Sequence, residues 1–430
     1  MSTLKILFSR YTADSGSARI AFDLIDERLK KVKVDPNYIV LGETTNIAVE
    51  PGSYLVRVQL PNGETITNQI EVELDQTKEV ILVPESNSPR ESLSWAYYLK
   101  RTSRINKGYD PLHPLKRTII EKNSRSQLQP IMNLFLLNED RLLNDDILYH
   151  TFELANSPFT LTYSPNLLFF NLYDISLSFE SIQDPDQLHL LGQIIIRGLQ
   201  NVKAQIVLNV FANGIPNKSI LLPPFEEVKI LILLDGADEA IRNETEKDPF
   251  HVMVAGNKPT AESLLSYLMN GDFQSIGKLR NEVLELAQRS LFGKREDPLG
   301  AVIGGYVLLQ TMDVLGFSNW TENLYNWFPN IPDGAVIHGW TLLKQETPNL
   351  IQASELFIEA VNRGIPYYTI GLRRLYDGLN LLAAHSSLNK EPIVKEKIQK
   401  ALNKLRSVVS KADWNQPVTT LIGYHETHYL

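Results

Sequence analysis

No cysteine occurs among the 430 residues. That single absence excludes thiolate nucleophiles, disulfides and every cysteine-ligated zinc or iron–sulfur site, and it fits a reducing compartment. Long apolar runs are scarce as well. In VKILILLDGADEA the unbroken run extends only from Ile230 to Leu234, whereas a membrane span needs about 20 such residues. The opening MSTLKILFSRYTADSGS is too short and too interrupted for a secretion signal. A cytoplasmic protein with no membrane partner is expected. The fingerprints Gly-x-x-x-x-Gly-Lys-Ser/Thr, Gly-x-Gly-x-x-Gly and Gly-x-Ser-x-Gly are all missing, so no cofactor is expected and no nucleophile elbow is in place. A formal charge of −8 argues against wholesale nucleic-acid binding.

What is present is organisation. A chain of this length exceeds one ordinary core and suggests two or three domains. Residues 1–85 carry strand patterns. In PGSYLVRVQLPNGETITNQIEVEL, Tyr54, Val56 and Val58 alternate with Leu55, Arg57 and Gln59, and Pro61-Asn62-Gly63 supplies a hairpin turn before Ile66, Ile70 and Val72. The PGSYLVRV…NG pattern resembles the small sandwich modules related to the carboxypeptidase regulatory domain and to transthyretin. That resemblance implies a β-sandwich and no activity.

Composition shifts over 86–149, read as a linker with a basic segment. Residues 90–125 hold nine Lys or Arg against three Asp or Glu, a net +6, with Trp95, Tyr97, Tyr98 and Tyr109 interleaved. Bases neutralise phosphates and aromatics stack on bases, so this segment is the one candidate for nucleic-acid contact; the alternative is an exposed connection. Residues 150–235 return to strand patterns and are read as a second β-sandwich module. The acidic loop DGADEAIRNETEKD lacks calcium-loop spacing and reads as a solvated hinge.

From residue 260 the apolar period becomes helical, with Leu264, Leu268, Ile276, Leu279, Val283 and Leu286 near i, i+3, i+4, i+7 spacing and a break at Asn270-Gly271-Asp272. PLGAVIGGYVLL and PDGAVIHGWTLL then repeat Pro, Gly-Ala-Val-Ile, Gly, an aromatic and Leu-Leu, 34 residues apart. The next step reaches Pro366, so Pro298, Pro332 and Pro366 form an even ladder. Ala353, Phe357 and Ala360 lie between the last two rungs, small residues allowing close approach and an aromatic filling the gap. Gly305 and Gly339 recur inside the helices and are read as close-packing sites.

A period of 34 with Ala-x3-Phe-x2-Ala followed by Pro resembles the tetratricopeptide repeat. The first unit departs from it, placing Trp320, Leu324 and Trp327 there. The expected fold is therefore multidomain: N-terminal β-sandwich modules, an all-α helical-repeat domain over 260–412 and a C-terminal tail over 413–430. KREDPLGAVIGGYVLL…WTENLYNWFPNIPDGAVI…ASELFIEAVNRGIPYYTIGLRRL also resembles the helical C-terminal region of bacterial proteins associated with caspase-like or CHAT proteases. That resemblance implies a partner or substrate of such a protease.

Few residues offer chemistry. His425 and His428 flank Glu426, but their i, i+3 spacing departs from the i, i+4 of zinc-protease helices; a docking tail is the other reading. His385 falls at a helix end, where an imidazolium suits the carbonyl dipole. In EPIVKEKIQKALNKLRSVVSK, Ile398, Leu402, Leu405 and Val409 share a face surrounded by Lys395, Lys397, Lys400, Lys404 and Arg406, and Glu391 can face Lys395. Lys397, Lys404, Arg406 and the inter-repeat His338 form the candidate partner surface. No catalytic or metal residue is assigned. The expected function is a non-enzymatic scaffold, adaptor or protease-regulated partner. A nucleic-acid role through 90–125, or a hydrolase with an unrecognised carboxylate or histidine site, stands as the alternative.

The resemblance to proteins associated with caspase-like proteases adds that such proteases often cut after Arg or Lys, which makes Arg101 and Arg117 candidate cleavage sites. Limited trypsin digestion is expected to cut first within 86–125. Resistance there, with cuts elsewhere, removes the linker reading.

Overall fold

Alternating burial builds the first part of the chain. The computed structural model describes residues 2–8, 19–40, 43–60, 65–82, 116–117, 131–137, 150–153, 160–163, 174–184, 187–201, 205–212, 215–234, 250–256, 259–269, 271, 279, 297–310 and 318–423. The chain divides into two compact units, one of 1–118, 182–186 and 255–286, the other of 119–181, 187–254 and 287–430.

In the first unit, β1 (Ser2–Phe8), β2 (Arg19–Asp26), β3 (Lys31–Val32), β4 (Tyr38–Val40), β5 (Thr45–Val49), β6 (Gly52–Gln59), β7 (Thr65–Val72) and β8 (Thr77–Leu82) form two sheets. One is ordered β5-β1-β8, the other β3-β2-β6-β7 with β4 also on β2. Their inward residues, among them Leu4, Ile6, Phe8, Phe22, Val56 and Val58, make one apolar core. Strict inside–outside alternation in β1 and β5 is the cause. The expected hairpin is β6–β7, in register from Gly52 with Val72 to Gln59 with Thr65. This unit also holds β9 (Lys116–Arg117), which pairs Lys116 with Gln183 and Arg117 with Ile182.

The second unit contains β10 (Ile131–Leu137), β11 (His150–Glu153), β12 (Thr160–Tyr163), β13 (Asp174–Asp184) up to Ser181, β14 (Gln187–Arg197), β15 (Gln205–Ala212), β16 (Ile215–Leu222), β17 (Glu227–Leu234), β18 (Phe250–Ala255) and, far along the chain, β19 (Thr420–Gly423). One sheet runs β11-β12-β10-β15-β16-β19, and the other contains the order β18-β17-β14-β13. β10, within the stretch read as linker, lies inside the first of these sheets.

Helices follow: α1 (Pro259–Met269), α2 (Pro298–Gln310), α3 (Ser318–Trp327), α4 (Pro332–Leu343), α5 (Leu350–Arg363), α6 (Thr369–Ala384) and α7 (Pro392–Val409). α1 belongs with the first unit, against the expected grouping from residue 260, and its Tyr267 hydroxyl donates to the Gln59 carbonyl at 2.9 Å. It ends at the expected break, where Gly271 takes a φ of +69°. α2 opens on Pro298 at its first turn, where the missing N–H costs nothing; Asp297 Oδ1 accepts the Gly300 N–H at 2.8 Å. α5 is capped by Asn349, whose Oδ1 accepts from Gln352 N at 3.1 Å.

From α2 to α7 each helix packs on its successor, and α2 also touches α4, α4 touches α6, and α5 touches α7. Pro298 and Pro332 start helices, while Pro366 precedes α6 by three residues. The recurrent glycines work as expected. A Cβ on Gly305 would lie 2.8 Å from Ile337 and 3.1 Å from Trp320. Phe357 is fully buried with its ring between two bare Cα atoms, for a Cβ on Gly339 would stand 2.6 Å from it and one on Gly378 2.5 Å.

The segment set apart as a tail is partly built in. Over 413–423 the chain returns to the sheet, where β19 pairs antiparallel with β16 from Asn217 with Gly423 to Ile220 with Thr420. Val418, Thr419 and Thr420 are buried. Residues 424–430, with His425 and His428, lie outside the described residues.

Phe357→Ala is expected to cost roughly 3–5 kcal/mol, the range for truncating a buried aromatic. Gly339→Ala, which would add up to about 1 kcal/mol in an open helix, is expected to destabilise here and to be relieved when Phe357 is shortened to Leu. Denaturant midpoints of the three variants check both signs.

Candidate functional site

The third rung of the proline ladder, residues 364–369, is held from three directions, and one carboxylate lies at the centre. Asp333 sits in the first turn of α4 beside Pro332, completely buried. Its Oδ1 accepts the Tyr306 hydroxyl of α2 at 2.7 Å, and its Oδ2 accepts the Tyr367 N–H at 2.8 Å. The Tyr368 amide and its own amide also donate to it. α2, α4 and the approach to α6 therefore meet at a single acid. Gly371 closes the space, since a Cβ there would run into the Tyr306 hydroxyl and the Asp333 carboxylate.

The sheet supplies the second hold. Gln205, first residue of β15, donates from Nε2 to the Ile365 carbonyl at 2.7 Å and accepts the Ile365 N–H on Oε1 at 2.9 Å. A buried amide thus satisfies both polar groups of one loop residue, which would be costly to leave unpaired. The C-terminal segment is the third. Thr419 Oγ1 donates to Pro366 O at 2.7 Å, Thr419 N to Tyr367 O at 2.9 Å, and Thr369 N to Pro417 O at 3.1 Å. Nearby, Lys218 of β16, 2% exposed, faces Asp413 at 3.5 Å.

Electrostatics follow from burial. Desolvation raises the Asp333 carboxyl to a pKa of about 6, partly offset by its hydrogen bonds from Tyr306 and the Tyr367 and Tyr368 amides. Burial, then the neighbouring carboxylate, pushes the Tyr306 hydroxyl well above the usual tyrosine range. Asp333 and Tyr306 are both buried, and the bonds they make hold the helices together.

A second polar string ties rung to rung across the surface. Trp340 Nε1 donates to the carbonyl of Arg374 at 2.9 Å, 34 residues on, and the Arg374 guanidinium lies 5.5 Å from the Trp340 ring centre. Arg374 also donates to Gln310 Oε1 at 2.6 Å, and Lys344 Nζ donates to the Leu309 carbonyl. Two cations therefore serve the carboxyl end of α2, where the helix dipole favours them.

The residues expected to face a partner separate. Lys397, Lys404 and Arg406 are all exposed on α7, whose buried face is Ile398, Ala401, Leu402, Leu405 and Val408. His338 does not join them. It is 6% exposed, stacks on Tyr325 at 6.0 Å and bonds Thr321 Oγ1 through Nδ1 at 3.0 Å. Burial lowers its pKa, with Glu322 opposing. The reason lies in the helix phase, which turns position 338 toward α3. Glu391 contributes no side-chain cap, and the ion pair forms instead between Glu396 and Lys400 at 2.7 Å. His385 does stand at the end of α6, but as an acceptor, with Nδ1 taking the Ser387 N–H at 3.3 Å.

Arg101 and the rest of the basic segment lie outside the described residues, save β9, which contains Arg117. Among the described residues, no group of three or more His, Asp or Glu could hold a metal, and no helix is long and apolar enough to cross a membrane. Asp333, Tyr306 and Gln205 went unmarked in the sequence. The one signal for the acid was the change from Leu299 to Asp333, one of four differences between the first two rungs.

Residues 263–428 match the family described as the Y4kD C-terminal domain, well under half of the chain. The matched stretch runs through the helices and β19 together, so the strand and the helices travel as one similarity. No curated protein and no solved structure matches the chain.

A carboxyl whose pKa is raised on folding binds its proton more tightly in the native state, so its contribution to stability is present below about pH 4 and is lost as pH rises through about 6. Asp333 alone is expected to make the wild type gain on the order of 1 kcal/mol between pH 7.5 and pH 5 relative to Asp333→Asn. Parallel stability curves for the two chains over that window would remove the assignment.

Proposed function

We propose that the chain is a non-enzymatic scaffold or adaptor for a protein partner in a bacterial, cytoplasmic assembly, with β-sandwich modules leading into tetratricopeptide-like helical repeats. The observation that carries the reading is the rung-to-rung bonding at the sequence period: Asp333 to the amide of Tyr367 and Trp340 to the carbonyl of Arg374 each join residues 34 apart. Stacked helical hairpins bonded in this way make a stiff platform, and such platforms bind through extended outer surfaces rather than through a reactive pocket. The helices from 298 to 409 are the platform in this reading, and the exposed cations of α7 are a charged surface on it.

The partner class follows from the resemblance to chains associated with caspase-like or CHAT proteases. In that setting the chain is a regulated partner, and cutting after Arg101 or Arg117 severs the peptide link between the first sandwich and the rest of the chain. Arg117 lies in β9, paired to Ile182, so a protease reaching it must first open that strand pair. Arg101 is the position expected to be cut first.

Cross-linking in the native host, followed by mass spectrometry and reconstitution with the purified partner, tests the adaptor reading. Cross-links concentrated between 298 and 412 and a stable reconstituted complex are expected. A chain that cross-links to nothing, or only through residues 1–82, overturns it. For the protease, Arg101→Ala is expected to slow cleavage of the 86–125 segment far more than Arg117→Ala.

A further inference from the structure

The last helix presents a charge pattern that neither its packing nor the rung-to-rung bonding uses. Between 390 and 411 there are seven Lys or Arg and two Glu, a net +5, in a chain whose formal charge is −8. On α7 the spacing sorts these cations into two edges. Lys397, Lys400 and Lys404 stand at i, i+3 and i+7, one line up the helix about 10 Å long. Lys395 and Arg406, 11 residues apart, lie on the opposite edge. All five are exposed. Between the edges the outer face is polar and nearly neutral, with Gln399 donating to Asn403 Oδ1 at 3.1 Å. Only Lys400 is engaged in an ion pair here, with Glu396, and both partners are more than 60% exposed. Such a pair is worth little and exchanges readily for a better one.

The chemistry of the line selects its occupant. Its members are all lysines, compact point charges suited to single carboxylates, without the planar fork that phosphate recognition favours. α7 contains no aromatic side chain on which a base could stack. Its exposed large apolar residue is Ile393 alone, too little to seat a helix in a lipid interface. A neighbouring helix with acids at the same i, i+3, i+7 spacing, by contrast, sets one carboxylate against each ammonium. Ile393, one turn before Lys397 and 69% exposed, gives that helix an apolar anchor at one end.

We propose that the Lys397–Lys400–Lys404 line of α7 is a docking surface for an acidic helical segment of the partner protein. The proposal rests on the adaptor reading and specifies how that partner is held.

The test uses the full chain and two fluorescein-labelled helical peptides of about 20 residues. One carries glutamates at i, i+3 and i+7; the other has the same composition with the glutamates distributed around the helix. The first is expected to bind more tightly, with affinity falling as salt is added. Lys397→Glu/Lys404→Glu is expected to weaken it about tenfold or more. Lys395→Glu/Arg406→Glu, an equal change of charge on the other edge, is expected to weaken it far less. All four positions are exposed, and unaltered thermal unfolding of both variants confirms the fold. Equal binding of the two peptides, equal loss in the two variants, or tighter binding of duplex DNA or phosphatidylserine vesicles through the same lysines overturns the proposal. A reconstituted partner that binds the Lys397→Glu/Lys404→Glu chain unchanged overturns it too, while leaving the adaptor reading standing. That reading falls only when no partner is cross-linked to the helices.

Discussion

A benzene ring held between two glycines sets the spacing of the helical half. Phe357 leaves no room for a Cβ at Gly339 on one side or at Gly378 on the other, so α4, α5 and α6 can approach only at the distance the ring dictates. Close packing in a protein interior tolerates little change of volume. Once this separation is fixed, the Trp340 indole falls within reach of the Arg374 carbonyl and Asp333 within reach of the Tyr367 amide. The polar bonds between rungs thus depend on an apolar fit. They sharpen a geometry that dispersion and burial have already chosen.

Asp333 shows the cost of that arrangement. A fully buried acid is an expense to a fold, which is why its pKa is raised. It is retained at a point where several amide and hydroxyl donors converge and where no backbone acceptor is available to all of them. The same logic governs Gln205, whose side-chain amide gives Ile365 both the donor and the acceptor that a neighbouring strand would have provided. Asp333 joins helices to one another and Gln205 joins them to the sheet, each with a side chain, while residues 417–419 meet the same loop backbone to backbone.

The sequence made the apolar periods legible and left the joints hidden. Two-residue alternation located the β6–β7 hairpin, and the 34-residue ladder located α2, α4 and the packing roles of Gly305, Gly339 and Phe357. These features are local or periodic, and period is visible in a linear string. The place of β19 was not legible, because pairing Thr420 with Ile220 is a long-range event that Thr-Leu-Ile-Gly does not announce. His338 was grouped with the surface since its polarity was visible, while its direction depended on the phase of a helix buried nearly all round. The exposed lysines of α7 were legible as a face. That Glu396, and not Glu391, pairs within it depended on where the helix begins.

The strand pair between β16 and β19 bears on the order in which the chain can be assembled. The partner of Lys218 in that ladder is Ile422, roughly 200 residues downstream. During synthesis, at about 5–20 residues per second, β16 remains an open sheet edge for on the order of 10 seconds or more. An open edge invites pairing with foreign strands. Lys218, buried beside Asp413 in the finished sheet, puts a cation on that edge, and a lysine on an edge strand discourages foreign pairing. The same side chain that ends as half of an interior ion pair begins as the guard on an unfinished sheet.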